Sequence, residues 1–308
     1  MTGYILRRLI QFIPVFLGTT FVVFFLAWGM PGDPLAGKCG DRECPDAFVA
    51  QATEEFKLDR PLIVRYGYYV ADLMQGDLGK SFTGRDVSEQ LLAAFPATIR
   101  LALLAVAIEV LIGVAIGILA ALRPGGAFDT ANLLLGLVII AFPGFVIANL
   151  AQLVFGVRLG WFPVTVSDAS SYYQLLLPAM VLALAHQVTL SRLTRTAVID
   201  SLQSDYIRTA QTKGLRMSRI VGIHALRNSL IPVVTYVGKD IGGLLAGAVV
   251  VEGVFNIRGI GGLIVRSIRS HDGITIVGAV TVIVVAYLII NLLVDIAYAV
   301  LDPRIRYD

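Results

Sequence analysis

A chain of 308 residues that is 56% hydrophobic and only 15% charged, with a mean hydropathy of +0.78, lies well above the apolar content of a soluble domain and reads as an integral membrane protein. Its net charge of +3 and pI near 8.9 do not argue for a nucleic-acid partner, because the basic residues stand mostly at the ends of apolar segments, where membrane insertion places them. No low-complexity tract and no internal repeat interrupts the chain.

Leu9 to Met30 follows Arg7 and Arg8 and carries no charge for 22 residues, enough for the roughly 20 that cross a bilayer. It exceeds the apolar core of a signal peptide, roughly 7 to 15 residues, and Ala27-Trp28-Gly29 is a poor cleavage site. Segment 1–30 is therefore expected to be a retained first transmembrane helix with its N-terminus inside. Pro31-Gly32-Asp33-Pro34 breaks that helix and opens a polar extracytoplasmic loop, 31–96. Ala47 to Phe56 and Pro61 to Met74 read as short helices within it. Tyr66, Tyr68 and Tyr69 on the second suit either aromatic packing over a pore mouth or interfacial anchoring.

Gly79-Lys80-Ser81 does not complete a phosphate loop, because the first glycine of G-x-x-x-x-G-K-S would fall at Met74. Cys39 and Cys44, the only two cysteines, sit in the same loop. On the outer side the pair reads as a disulfide or as two free thiols. A metal site is disfavoured, since the loop holds no histidine and tetrahedral sites want about four ligands.

Further apolar segments follow in order. Ala97 to Leu122 carries Glu109 near its centre, with Gly113 and Gly117 at a spacing that admits close helix approach. Phe128 to Phe155 is expected to kink at Pro143-Gly144. Leu175 runs through His186 and continues as helix past Arg192 and Arg195. Ser229 to Glu252 presents Gly238, Gly242, Gly243 and Gly247 on a packed face and carries Lys239 and Asp240. Ile274 to Leu301 closes the set. Between the fourth and fifth spans lies the longest basic run, Asp205 to Pro232, with Arg208, Lys213, Arg216, Arg219 and Arg227 against one acid. Ile207, Ala210, Ile220, Ile223 and Leu226 recur in it at helical spacing, Gly214 sits where a helix would end, and Ser218 is placed to cap a second helix.

Six spans put both termini in the cytoplasm. Lys and Arg divide evenly, 12 inside and 12 outside with Lys239 within a span, but long loops are exempt from the charge rule. Without the first loop and Arg100 at its edge, only Arg158, Arg258, Arg266 and Arg269 remain outside, and the orientation stands.

The basic run resembles the "EAA" loop of ABC-importer permeases. Arg208-Thr209-Ala210 stands for Glu-Ala-Ala, Gly214 for the glycine, and His224-Ala225-Leu226-Arg227, nine residues on, for the last block. R-T-A-x-x-K-G followed by H-A-L-R-N-S-L-I-P is similar to the version in the peptide/nickel (dipeptide/oligopeptide) class. The PGDP stop, Leu58-Asp59-Arg60-Pro61, Gly76 to Phe82 and the terminal Leu301-Asp302-Pro303-Arg304-Ile305-Arg306 resemble its B-type subunit. Asn256 to Gly261 resembles the turn before a re-entrant helix, with Arg258 in place of the family's proline.

The resemblance implies an all-α permease of six transmembrane helices, with a five-helix core over 97–308 and a cytoplasmic coupling loop over 201–228. Asp205, Tyr206, Arg208, Thr209, Ala210, Lys213, Gly214 and Leu215 would contact an ATPase. It implies a multi-pass protein of a prokaryotic cell membrane with no catalytic residue and no cofactor of its own, ATP and Mg being bound by two ATPase subunits. A homologous second permease and an extracytoplasmic binding protein would complete an importer of peptides or a related small solute such as a nickel chelate. The alternative is a self-contained secondary transporter or channel, which would show inverted repeats with helices broken at the midplane.

Glu109, His186, Lys239 and Asp240 are candidates for a polar translocation pathway, because charges at the bilayer centre usually face protein or water. The competing expectation is a Glu109–Lys239 pair, or a contact to the second permease, that only holds helices together.

Overall fold

The computed structural model describes residues 2–29, 45–55 and 57–301. Cys39 and Cys44, the PGDP stop and the tail beyond Leu301 lie outside them. Among the described residues the regular structure is helical, apart from one isolated bridge between Lys80 and Asp86.

Twelve α-helical stretches follow in chain order among the described residues: α1 (Thr2–Trp28), α2 (Asp46–Glu55), α3 (Leu62–Met74), α4 (Val87–Leu122), α5 (Ala127–Ala141), α6 (Gly144–Ala151), α7 (Tyr172–Leu202), α8 (Asp205–Thr212), α9 (Met217–Arg219), α10 (Leu226–Val254), α11 (Ile260–Arg269) and α12 (Gly273–Leu301). Five described helices are long and apolar enough to cross a membrane, and the bent pair Ala127–Ala141 with Gly144–Arg158 makes a sixth if taken as one span.

Three local outcomes differ from the sequence expectation. Helix α4 begins at Val87, ten residues before Ala97, and runs through Pro96. Val87, Leu91 and Ala94 are buried at helical spacing, and burial of that stripe outweighs the helix-breaking tendency of the proline. The kink foreseen at Pro143-Gly144 is a 102° break. Phe142 ahead of the proline is extended (ψ 136°), as pre-proline sterics favour, and Pro143 takes the N-cap position of α6. The third difference concerns Ser218, whose position falls inside α9, while Arg216 occupies the N-cap position.

The chain separates into two compact units, residues 1–96 with 258–288, and residues 97–257 with 289–308, so α4 and α12 each pass from one to the other. In the larger unit Leu101, Ala105, Ala148, Leu175, Leu182, Leu244 and Phe255 form one buried core drawn from α4, α6, α7 and α10. Gly117 sets the approach of α4 to α7, since a Cβ there would stand 2.5 Å from Thr194 Cβ and 2.6 Å from the Ser191 carbonyl oxygen. Helix α10 ends on Asn256 in the left-handed region (φ 53°), with Ile257 N–H donating to the Glu252 carbonyl at 2.9 Å. Asparagine tolerates the conformation that closes such an end.

In the smaller unit an aromatic cluster joins α1 to α3. Phe21 and Phe24 pack edge-on against Tyr66, whose hydroxyl lies 2.8 Å from Thr20 Oγ1. Tyr69 reaches Thr281 Oγ1 at 2.7 Å. Burial pushes the Tyr69 pKa up to about 12, so it holds this contact as a neutral phenol.

Candidate functional site

The stretch after α7 is built as a short platform. Ile207, Ala210, Ile220 and Ala225 form a small buried core with Leu202 and Leu215 packed against it, while Asp205, Tyr206, Arg208, Thr209 and Lys213 are exposed. A helix of eight residues is marginal alone in water, so α8 owes its existence to this buried face.

Its end is fixed by Gly214 at φ +74°. Gly214 N–H donates to the Gln211 carbonyl at 2.9 Å and Leu215 N–H to the Ala210 carbonyl at 3.3 Å, the paired bonds of a Schellman turn, with Leu215 supplying the apolar contact. Ser201 ties α7 to both sides of the platform through the Tyr206 hydroxyl (2.5 Å) and the Ala225 carbonyl (3.3 Å). Ile223, expected on the apolar face, is exposed and Ala225 is buried in its place. The π-helical segment Ile220–Ala225 adds residues to the turn and shifts the register that α-helical counting assumes. All eight residues assigned to the coupling loop thus fall on α8 and its closing turn, with Ala210 on the inner side and Leu215 half-buried.

Among the intramembrane candidates, three converge. His186 on α7 places Nδ1 2.7 Å from Asp240 Oδ2 on α10, and Glu109 on α4, fully buried, lies within electrostatic reach of both without a hydrogen bond to either. Tyr236, one turn before Asp240, reaches Thr189 and Asp240. The glycine face of α10 makes the space: Cβ atoms at Gly243 and Gly247 would stand 3.8 and 3.9 Å from the His186 ring.

Lys239 is not in this cluster; it is exposed, and of the two competing expectations the Glu109–Lys239 pair does not form, both Glu109 oxygens lacking a hydrogen-bond partner. Neighbouring helical positions point about 100° apart, so a helix that turns Asp240 toward Glu109 necessarily turns Lys239 away.

Sequence reasoning missed two features. Asp129, 1% exposed, receives two bonds from Arg195, 2.5 Å from Nε and 2.6 Å from Nη2, and a third from Gly125 N–H at 2.8 Å. This fork clamps the start of α5 to α7 two turns ahead of the platform. The available signal was an acid just after the tight turn Arg123 to Gly126, in a region otherwise basic. Tyr236 was the other, readable only from its i,i+4 relation to Asp240.

The chain matches the family described as binding-protein-dependent transport system inner membrane component over residues 113–307, and the family's N-terminal region over residues 1–102. It is 38% identical to the glutathione transport system permease protein GsiC of Pectobacterium atrosepticum over 308 residues, and 36% identical to the di/tripeptide transport system permease protein DppB of Pseudomonas aeruginosa over 335 residues; each match covers 100% of both chains. The protein belongs to this family of inner-membrane permeases. It is a transmembrane permease subunit of an ABC importer, a transport component and not an enzyme.

Proposed function

We propose that this permease moves short peptides or a peptide-like solute such as glutathione across the membrane, with energy supplied by separate ATPase subunits that bind ATP and Mg. The observation that carries the coupling half of this reading is α8: an exposed polar face, a buried apolar face and a turn closed by Gly214, tied by Ser201 to a helix long enough to span the bilayer. Such a platform transmits a push from a docked subunit into α7 and α10. The remaining assembly is a homologous second permease and an extracytoplasmic binding protein.

In this reading both termini and the 201–228 loop are cytoplasmic, segment 31–96 is extracytoplasmic, and 97–308 holds the permease core. His186 and Asp240, partly accessible beside the glycine face of α10, line the pathway, and buried Glu109 positions them. Lys239 contacts the second permease, because an unpaired mid-span charge facing lipid costs on the order of 2.5 to 3.5 kcal/mol.

The test is uptake of labelled glutathione or trialanine by vesicles holding the full complex. Uptake that requires ATP, the ATPase subunits and the binding protein is the expected result. Uptake driven by an ion gradient through this chain alone would instead establish a secondary transporter.

A further inference from the structure

A cavity of about 620 Å³ opens within the smaller unit, walled by α1, α3, the 76–80 turn and the start of α12. That volume suits a small ligand. Its floor holds Arg65, only 8% exposed, whose guanidinium lies 4.8 Å over the Trp28 ring and 5.9 Å from that of Phe24. Arg65 Nε has no hydrogen-bond partner, and no carboxylate among the described residues pairs with the side chain. Stacking between rings holds the group in place but satisfies none of its in-plane donors.

A buried guanidinium whose Nε donor is unused and which faces a cavity is matched by one chemistry above others, a carboxylate taken in bidentate fashion. Acids also line the space, and they are not equivalent. Asp77 accepts from Gly79 N–H at 2.8 Å and Asp86 from Ser88 N–H at 2.9 Å, so both are spent on the turn. Asp72, exposed and lining the same cavity, has no such bond. It stands two turns along α3 from Arg65, about 10 Å at 1.5 Å per residue. An extended chain of three residues spans about the same length.

We propose that this cavity is a binding site for a short zwitterionic peptide, its carboxylate on Arg65 and its ammonium group on Asp72, with Trp28, Tyr68 and Tyr69 offering apolar surface between. The site rests on the peptide-like substrate class inferred above and adds a station separate from the His186–Asp240 cluster.

The test measures binding of radiolabelled trialanine to the full chain in nanodiscs, without ATPase or binding protein, against trialanine amide and N-acetyl-trialanine as competitors. Saturable binding is expected, with each blocked peptide weaker by about tenfold or more. Asp72→Asn should abolish the discrimination against the acetylated peptide and keep that against the amide; Arg65→Gln should do the reverse. Arg65 is buried and its replacement endangers the fold, so the exposed Asp72→Asn decides by itself.

No saturable binding at millimolar trialanine, equal affinity of the wild type for all three peptides, or unchanged discrimination in Asp72→Asn would each overturn the site. Failure of ATP-driven uptake in the complete transporter would count against the proposed function and leave this binding result standing.

Discussion

Gly214 closes α8 with space around it, since nothing lies within 4 Å of a Cβ built there. The obstacle to substitution is therefore conformational rather than steric: a β-branched residue is a genuine outlier at φ +74°. Gly214→Val should leave the protein inserted while cutting uptake and ATPase stimulation by at least about tenfold, a loss worth roughly 1.4 kcal/mol of coupling. Purified complexes with wild-type stimulation would show that the turn does not couple. The polar cluster gives a second prediction. Asp240→Asn keeps shape and hydrogen bonding but removes the charge, so complexes should assemble normally by size exclusion and transport more slowly. Normal transport would take His186 and Asp240 out of the pathway. Lys239→Met and Glu109→Leu, lacking a shared contact, should have additive effects on thermal unfolding; a coupling above about 0.5 kcal/mol would mean that the two residues do interact.

Between elements, close approach is set by glycines whose replacements are not alike. A Cβ at Gly117 runs into backbone and a Cβ of α7, whereas one at Gly238 meets only the Val294 side chain at 2.9 Å. Side chains rotate and backbones do not, so Gly117→Ala should destabilise by roughly 1–3 kcal/mol and Gly238→Ala by less. Equal melting temperatures in detergent for the two variants would contradict that packing. The Asp129–Arg195 fork obeys a different rule. Removing Arg195 alone leaves the buried Asp129 carboxylate unpaired, at a cost of roughly 3–5 kcal/mol, whereas removing both need not. Arg195→Met combined with Asp129→Leu should thus melt above Arg195→Met carrying an intact Asp129.

For the molecule as a whole, orientation is the property on which every role depends. A single cysteine placed at Ser218, with Cys39 and Cys44 replaced, should react with a membrane-impermeant maleimide only from the cytoplasmic side; native Cys39 should react only from outside. Labelling of both from one side would sink the proposed topology and the coupling role of α8 together. The charge asymmetry of the short connecting loops is the reason for expecting this result.

Membrane class, helix positions and family were legible in the chain because each rests on local signals: runs of about 20 apolar residues, Pro and Gly at their ends, and a spaced motif around Gly214. Local signals fail where a distant residue decides. Pro96 reads as a breaker until Val87, Leu91 and Ala94 are seen buried beneath the same helix, and Ile223 reads as apolar face until a π turn rotates it outward. The four ionisable mid-span residues were identifiable as costly, but which of them meet was a matter of helix rotation. The sequence by itself determined that this protein is a multi-helix membrane permease with a helix–turn platform after its fourth span; only the tertiary structure decided that Glu109, His186 and Asp240 converge while Lys239 faces away, because side-chain partners across helices depend on packing angles that no window of sequence contains.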